Sequence, residues 1–410
     1  MGIMLLEGKI DAMLRGFPII LVCCLSGLPA RAQPSATMTA DECVARAIEN
    51  NSQLKADLAG VAVARADIID ARQIREPLIQ MLLPIGPKRF ELLWTQPLDL
   101  LIQRPKRIRA AELNVQRLAE SLVQNGVNLA RDVRIAHADV LLAEDRARIA
   151  SESAALRDRI AGMSRKRLAA GDISLTEVRL LELDALQALQ QAAVFRDDRR
   201  AAEERLRLLM GMRGSTTTLS LRGEDPPLQL PNVTLEAAMA GRPEVKAAGI
   251  EIDAARERAR IERIRPFVFG AGFSSKGSGS DPIRTGPAIN GEPPILNRNR
   301  GGIARAEADI ERLEAQRLAT RDRVETEVRQ AQAQLGQAQA NLTAIRKELI
   351  PLSREAVLLA ETSFRQGDIS RLNVLEASRQ TFDADLREAD AVAAARRAWA
   401  ELERSMGRKP

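Results

Sequence analysis

From Val324 onward the apolar positions step along the chain by four and by three: Val324, Val328, Ala331, Leu335, Ala338, Leu342, Ile345, Leu349 and Leu352. This is the heptad seam of a helix that packs lengthwise on another. Set back by 195 positions, the same frame reads Leu129, Val133, Ala136, Val140, Ala143, Ala147, Ala150 and Ala154, and it breaks at Arg157. Two long helices therefore share one seam, and the Ala-lined copy can approach its neighbours closely. No Pro interrupts residues 106–170, so the first long helix is expected to run for roughly 65 residues, about 100 Å at 1.5 Å per residue.

Each long pattern ends at the same turn. Gly171-Asp172-Ile173-Ser174 recurs as Gly367-Asp368-Ile369-Ser370, 196 positions later. Gly closes a helix in the left-handed region and Ser caps the next one. Ser174 with Glu177 predicts a capping box as well. A shorter helical pattern follows each turn, the first running to Met210. One such turn is ordinary punctuation, but its repetition at a fixed offset marks a duplicated chain.

In front of each long helix the period falls from 3.6 to 2. A hairpin over about 77–97 is predicted from Leu78 to Leu83, a turn at Pro84–Pro87, and Phe90 to Thr95. Phe90, Leu92 and Trp94 share one of its faces, and Pro97 and Pro105 mark its exit. Its counterpart over about 266–296 carries Phe267, Phe269, Ala271 and Phe273 on one strand, a polar loop from Ser274 to Arg284, and a returning strand from Pro287 to Leu296. Residues 39–76 read as two helices, capped at Thr39, broken at Asn51 and Ser52, and continuing to Arg75. Thr234 opens the matching pair in the second half. The resulting division is a first repeat at 33–212, a linker rich in Gly, Thr, Ser and Pro at 213–232, and a second repeat at 233–410.

Composition narrows the class. Aromatic residues are 2% of the 410, with no Tyr, so the chain is mainly α and buries Ala and Leu seams, not one thick core. The net charge is +6, yet 61 basic and 55 acidic residues are interspersed. These read as solvated helix faces, not as a nucleic-acid footprint. The N-terminus reads as a secretory leader over 1–32, with Arg15 before an apolar stretch from Phe17 to Leu28 and cleavage after Ala32. Residues 1–12 form an upstream extension, with Met13 a candidate start. Cys23 and Cys24 lie within the leader, and lipidation at Cys24 is the weaker alternative. Cys43 alone remains afterwards, which leaves no intrachain disulfide.

The duplicated long hairpins, the strand hairpins before them and the Gly-x-x-Ser turns together resemble the TolC family of outer-membrane efflux channels, over residues 39–407. The segment Pro293-Pro-Ile-Leu-Asn297-Arg-Asn-Arg300-Gly-Gly-Ile303-Ala-Arg-Ala-Glu307 most resembles the branch that serves cobalt-zinc-cadmium-type export systems. The resemblance implies a homotrimer in the bacterial outer membrane. Each protomer would give four strands to a twelve-stranded β-barrel and its helices to a coiled-coil tube crossing the periplasm. It implies a periplasmic adaptor docking at the tip turns, Gly171, Asp172, Ser174, Gly367, Asp368 and Ser370, and an inner-membrane RND-type pump beyond it. Where family members carry acidic residues ringing a closed tip, this chain has Asn373 and Glu376, with Arg371 a candidate latch between protomers. The barrel departs from the family pattern in its short strands, its lack of Tyr and the prolines Pro287, Pro293 and Pro294 in its last strand.

No phosphate loop, nucleophile elbow or metal-ligand spacing is present, so neither enzyme activity, cofactor nor metal site is expected. His137 sits beside the seam residue Ala136 and reads as structural. With one His and one mature Cys, any soft-metal specificity would belong to the pump. Lys88, Arg89, Lys276 and Arg284 could meet lipid phosphates, although loop charge is usually solvated. Two other classes remain compatible with the residues: a coiled-coil scaffold without a pore, disfavoured by the Phe267/Phe269/Phe273 face, and an adaptor subunit, which would carry one hairpin between β-rich domains.

Overall fold

A computed structural model describes residues 37–82, 90–98, 102–214, 219–226, 234–277, 282–292 and 298–407. The leader with Cys23 and Cys24, the turn at Pro84–Pro87 with Lys88 and Arg89, and Pro293 and Pro294 lie outside the described residues. So does the side chain of Arg371.

The first repeat comprises α1 (Ala40–Asn50), α2 (Ser52–Arg72), β1 (Leu78–Leu82), β2 (Phe90–Pro97), α3 (Arg104–Ala169) and α4 (Leu175–Leu209). The second replays it as α5 (Leu235–Gly241), α6 (Pro243–Ile264), β3 (Val268–Gly277), β4 (Arg284–Glu292), α7 (Arg300–Ala344), a π-helical turn at Ile345–Leu349, α8 (Ile350–Gln366) and α9 (Arg371–Ser405). Thr39 begins α1 with a full capping box: its Oγ1 accepts from the Glu42 N–H, and its own N–H donates to Glu42 Oε2 at 2.8 Å. Asn51 ends α1 and caps α2 by accepting from the amides of Gln53 and Leu54. Helix α2 stops at Arg72, three residues before the expected end. The Pro105 expected to close the first hairpin lies in the first turn of α3, where its missing N–H costs no helical bond.

Helix α3 is the axis of the packing. Its Ala130, Val133, Ala136 and Val140 meet Cys43, Val44 and Ala47 of α1 and Leu206 of α4, together with Met210. Towards the tip the contact thins to Ala150 and Ala154 against Ala188 and Ala192, as the Ala seam requires. In the second repeat Ala331 and Leu335 meet Leu402, and Leu342 meets Ala391 and Ala395. The halves are joined by α3 lying on α9, laced by Arg131 to Glu401 at 3.1 Å, Arg397 to Asp139 at 2.7 Å and Arg146 to Asp390 at 2.7 Å. Arg134 also bridges Asp41 of α1 and Glu403 of α9.

The stretch read as a linker is partly a built element. Met38 pairs in parallel with Leu221: its N–H donates to the Ser220 oxygen and its own oxygen accepts from Arg222. Leu219 is buried in the α1/α3/α4 core.

The long seam follows its expected frame to Ile345, which packs beside Leu342. There the helix widens to the π turn, in which the Ile350 N–H donates five residues back to Ile345. Pro351 follows at once; it has no N–H for the ladder, and its ring crowds the carbonyl of Lys347. The extra residue advances the buried face by one. Ile350 and Ser353 are buried where Leu349 and Leu352 were expected, and Leu352 is 66% exposed. Ser353 is held by its own hydroxyl donating to Ile350 and by Thr381 of α9 donating to its carbonyl.

The two strand hairpins join into one antiparallel sheet in the order β1-β2-β3-β4, through β2 and β3. The last two strands are displaced from expectation. Strand β3 continues through Ser274, Ser275 and Lys276 to Gly277, and β4 starts at Arg284, so Pro287 lies within it opposite Phe273. Strand β4 is an edge of this sheet, where a residue without an N–H is tolerated.

Candidate functional site

The two tips are built alike up to the cap. At each, glycine takes a left-handed conformation, with φ 83° at Gly171 and 88° at Gly367. The following amide reaches back five residues: Asp172 N–H donates to the Arg167 oxygen at 2.9 Å, and Asp368 N–H to the Ser363 oxygen at 3.0 Å. These are Schellman closures, which only Gly makes without strain. They then diverge. Ser174 Oγ accepts from the Glu177 amide at 3.2 Å. The return bond expected of a capping box does not form, because Glu177 turns into a small cleft with Ile160, Met163, Leu181 and Leu372. Ser370 caps nothing; its hydroxyl donates to Asn373 Oδ1 at 3.4 Å.

The cleft, about 20 Å³, takes Leu372 of the second tip against the first. The tips are thus neighbours, bringing the turn at 171–174 close to the start of α9. Asn373 and Glu376 are both exposed on α9, and Glu376 is paired at 3.6 Å with Arg379. Arg379 in turn lies 3.9 Å from Asp184 of α4, which Arg157 of α3 engages at 3.2 Å. A charge relay therefore ties Glu376 to the first repeat, through two residues that sequence reasoning did not single out. The available signal was the break of the Ala frame at Arg157, which is a half-buried ion pair inside the hairpin. Nearby, hydrogen bonds first from Arg165 and then from Arg179 hold the Glu182 carboxyl below its usual range.

The sheet at the other end has two unlike faces. Register places Ile79, Trp94, Phe273 and Pro287 in one row across all four strands, with Met81, Leu92, Ala271 and Ile289 on the same side. Trp94 and Phe273 stack at 5.4 Å. The Phe90/Leu92/Trp94 and Phe269/Ala271/Phe273 faces foreseen separately thus coincide, while Phe267 precedes the strand. The opposite face carries Gly270, Gly272, Gly286 and Ala288, Asn290 donating to Thr95 at 3.3 Å, and Lys276 paired with Glu91 at 2.5 Å. Gly272 is obligatory there: a Cβ would stand 1.8 Å from the Trp94 oxygen. Among the described residues neither β1 nor β4 has a partner on its outer edge.

The outer membrane efflux proteins match residues 234–408. The second repeat is thus similar to the outer membrane efflux protein family. Over 381 residues, 90% of each chain, the protein is 24% identical to the cobalt-zinc-cadmium resistance protein CzcC of Cupriavidus metallidurans. Its fold is similar to that of a membrane protein from Pseudomonas aeruginosa, with TM-score 0.75 and 20% identity over 90% of this chain and 92% of the other. It is similar also to CusC, with TM-score 0.74 and 18% identity over 91% and 92%. The first repeat thus shares the efflux-protein fold as well, because these matches cover nearly the whole of both halves.

No described helix is long and apolar enough to cross a membrane. Among the described residues no three His, Cys, Asp or Glu side chains converge as for a metal ion. His137 lies within the core near the Met38 carbonyl, and burial pushes its pKa below the ordinary value. Burial likewise raises the Cys43 thiol to about 11, so it stays protonated and inert.

Proposed function

We propose that the chain is one protomer of a trimeric outer-membrane channel, the passive exit duct of a tripartite efflux system. The observation that carries this reading is the sheet. One face is apolar and aromatic, the other combines Gly and polar residues with Leu78, Leu82 and Leu93, and both edges are open. A four-stranded sheet with open edges cannot stand in lipid, because unpaired backbone groups there cost several kcal/mol each. Three copies, edge to edge, supply twelve strands and remove every edge, with the Trp94/Phe273 face towards lipid and the Glu91/Lys276 face towards the lumen. Helix α3, 66 residues long, spans about 100 Å, long enough to carry the duct across a periplasm.

The tips at Gly171, Asp172, Ser174, Gly367, Asp368 and Ser370 are then the docking point for a periplasmic adaptor that leads to an inner-membrane RND-type pump. Glu376, with Asn373 and Arg371 beside it, forms the periplasmic constriction, a single ring of three carboxylates that attracts cations. The name of the CzcC relative supports divalent metal cations as cargo.

Purified protein in planar bilayers tests the reading. Small cation-selective openings are expected, with Glu376→Gln shifting the reversal potential towards zero under a salt gradient. A helical protein that never conducts would overturn the channel and leave a coiled-coil scaffold.

A further inference from the structure

The helices of the two hairpins lie in one sequence of contacts. Helix α4 packs on α3, α3 on α9, and α9 on α7 and α8. Helices α4 and α8 are therefore the outer flanks of this layer, and each carries a second apolar stripe that stays exposed among the described residues. On α4, Val178, Ala185, Ala188 and Ala192 are buried. At 3.6 residues per turn the exposed Leu183 and Val194 fall on nearly the opposite side, and Leu186 lies about a third of a turn from the buried face, on the flank. On α8, Leu352 and Leu359 stand outside the hairpin seam. The stripes are matched in height. Leu186 and Leu352 each lie fifteen residues from their tip glycine, Gly171 and Gly367, while Leu180 and Leu359 lie nine and eight away. At 1.5 Å per residue those levels agree within about 2 Å.

The interface inside the chain says what covers them. There the long helix of the first repeat, α3, lies on the short helix of the second, α9. The reciprocal pair, α4 of the first repeat with the long helix of the second, is not packed together among the described residues of one chain. The sheet has the same imbalance, with β1 of the first repeat and β4 of the second left unpaired. A second copy continues the existing interface on both levels, first flank against last, in a heterologous contact that closes into a ring.

We propose that the Leu stripe of α4 seats on Leu352 and Leu359 of a second copy, and that the π turn at Ile345–Leu349 is the device that presents them. Had the four-three frame continued, Leu349, Leu352 and Leu359 would fill the seam against α9. The one extra residue rotates α8 by about 100°. The hairpin then closes on Ile350 and Ser353, and the large leucines are released for the neighbouring copy. This proposal rests on the trimeric reading above and adds its register.

The test pairs Leu186→Cys with Leu352→Cys in the mature chain carrying Cys43→Ala, oxidised in outer-membrane fractions and run without reductant. A covalent trimer is expected, and neither single cysteine alone should give one. Pro351→Ala restores the missing N–H without changing the residue count, lets the uninterrupted helical frame carry Leu352 back into the seam, and should abolish this cross-link while helix content by circular dichroism is kept. The double variant Leu352→Ser/Leu359→Ser, which alters only residues exposed in the single chain, should leave the hairpin folded and eliminate trimers. Trimers by mass with no Leu186/Leu352 cross-link would overturn the inference and leave the channel standing. A cross-link that survives Pro351→Ala would overturn the role of the π turn. Monomers under every condition would overturn the channel as well.

Discussion

Arg242 Nη1 donates to the carbonyl oxygen of Arg404 at 2.9 Å, closing the end of α9 onto the start of α6. In the first repeat Asn51 Nδ2 does the same to the Leu209 oxygen at the end of α4, at 3.0 Å. The duplicated joint is kept by geometry, not by side-chain identity. The Arg is the costlier solution. Its side chain is fully buried and is neutralised by Glu244 and by Glu327, which Arg323 and Arg404 also engage. Arg242→Ala empties a fully buried site, leaves the Arg404 carbonyl without its donor and takes one of the cations from each of Glu244 and Glu327, and should cost about 3 kcal/mol. Asn51→Ala loses a cap worth about 1 kcal/mol. Thermal melts followed at 222 nm should rank them in that order, and equal shifts would refute the ranking.

The same joint holds Gly211 with φ 70°, and a Cβ there would stand 2.6 Å from the Asn50 oxygen. Gly171 is equally left-handed but has open space around it. Gly171→Ala should therefore cost only the conformational ~1 kcal/mol, while Gly211→Ala adds a backbone clash and should lower the melting temperature at least twice as far.

Adjacent residues of β3 report which face meets lipid. Phe273→Lys puts a charge on the aromatic face and should cost about 2–4 kcal/mol at mid-membrane depth, visible as loss of heat-resistant trimer from outer membranes. Ser274→Lys points to the polar face, opposite Leu93 and Gly286, and should assemble normally. Equal loss in both would mean that the sheet is not inserted.

Acid stability should depend on His137. Burial lowers its folded pKa below the ordinary 6.5, the Met38 carbonyl and Glu224 oppose that, and Arg396 reinforces it. The unfolded chain then takes up the proton first as pH falls. Stability contributed by the neutral ring is intact above about pH 6.5 and is lost below it, until the folded pKa is passed. His137→Gln should melt at a temperature that changes less between pH 7 and pH 5 than the parent does. A parallel decline in both would assign the acid sensitivity elsewhere.

Much of the architecture was legible because it is periodic. The heptad frame located α3 and α7, and the repeated Gly-Asp-Ile-Ser turn located both tips. What escaped lies where one residue acts on others at a distance. Pro351 acts on the backbone before it, so Leu349 and Leu352 look like seam residues until the π turn moves them out. Strand β4 begins with Arg284, Thr285 and Gly286, and a strand with a polar, Gly-rich face hides the alternation that reveals an amphipathic one. At the tips, Ser174 and Ser370 are alike in sequence, yet only one caps, because the Asn373 amide donates to the Ser370 carbonyl and not to its hydroxyl. The link from Glu376 to Arg157 joins residues on three helices, and no local pattern announces it.

Arg134 holds both Asp41, near the beginning of the described chain, and Glu403, near its end, and Met38 is stitched to the segment that separates the repeats. The backbone is thus a loop that is almost closed, and the order in which the repeats are translated is not what defines their contacts. A circular permutant that starts at the second repeat, joins residue 407 to residue 37 by a short flexible connector and ends after Asp225 retains every helix partner described above. Genes with the two halves exchanged should encode the same protomer.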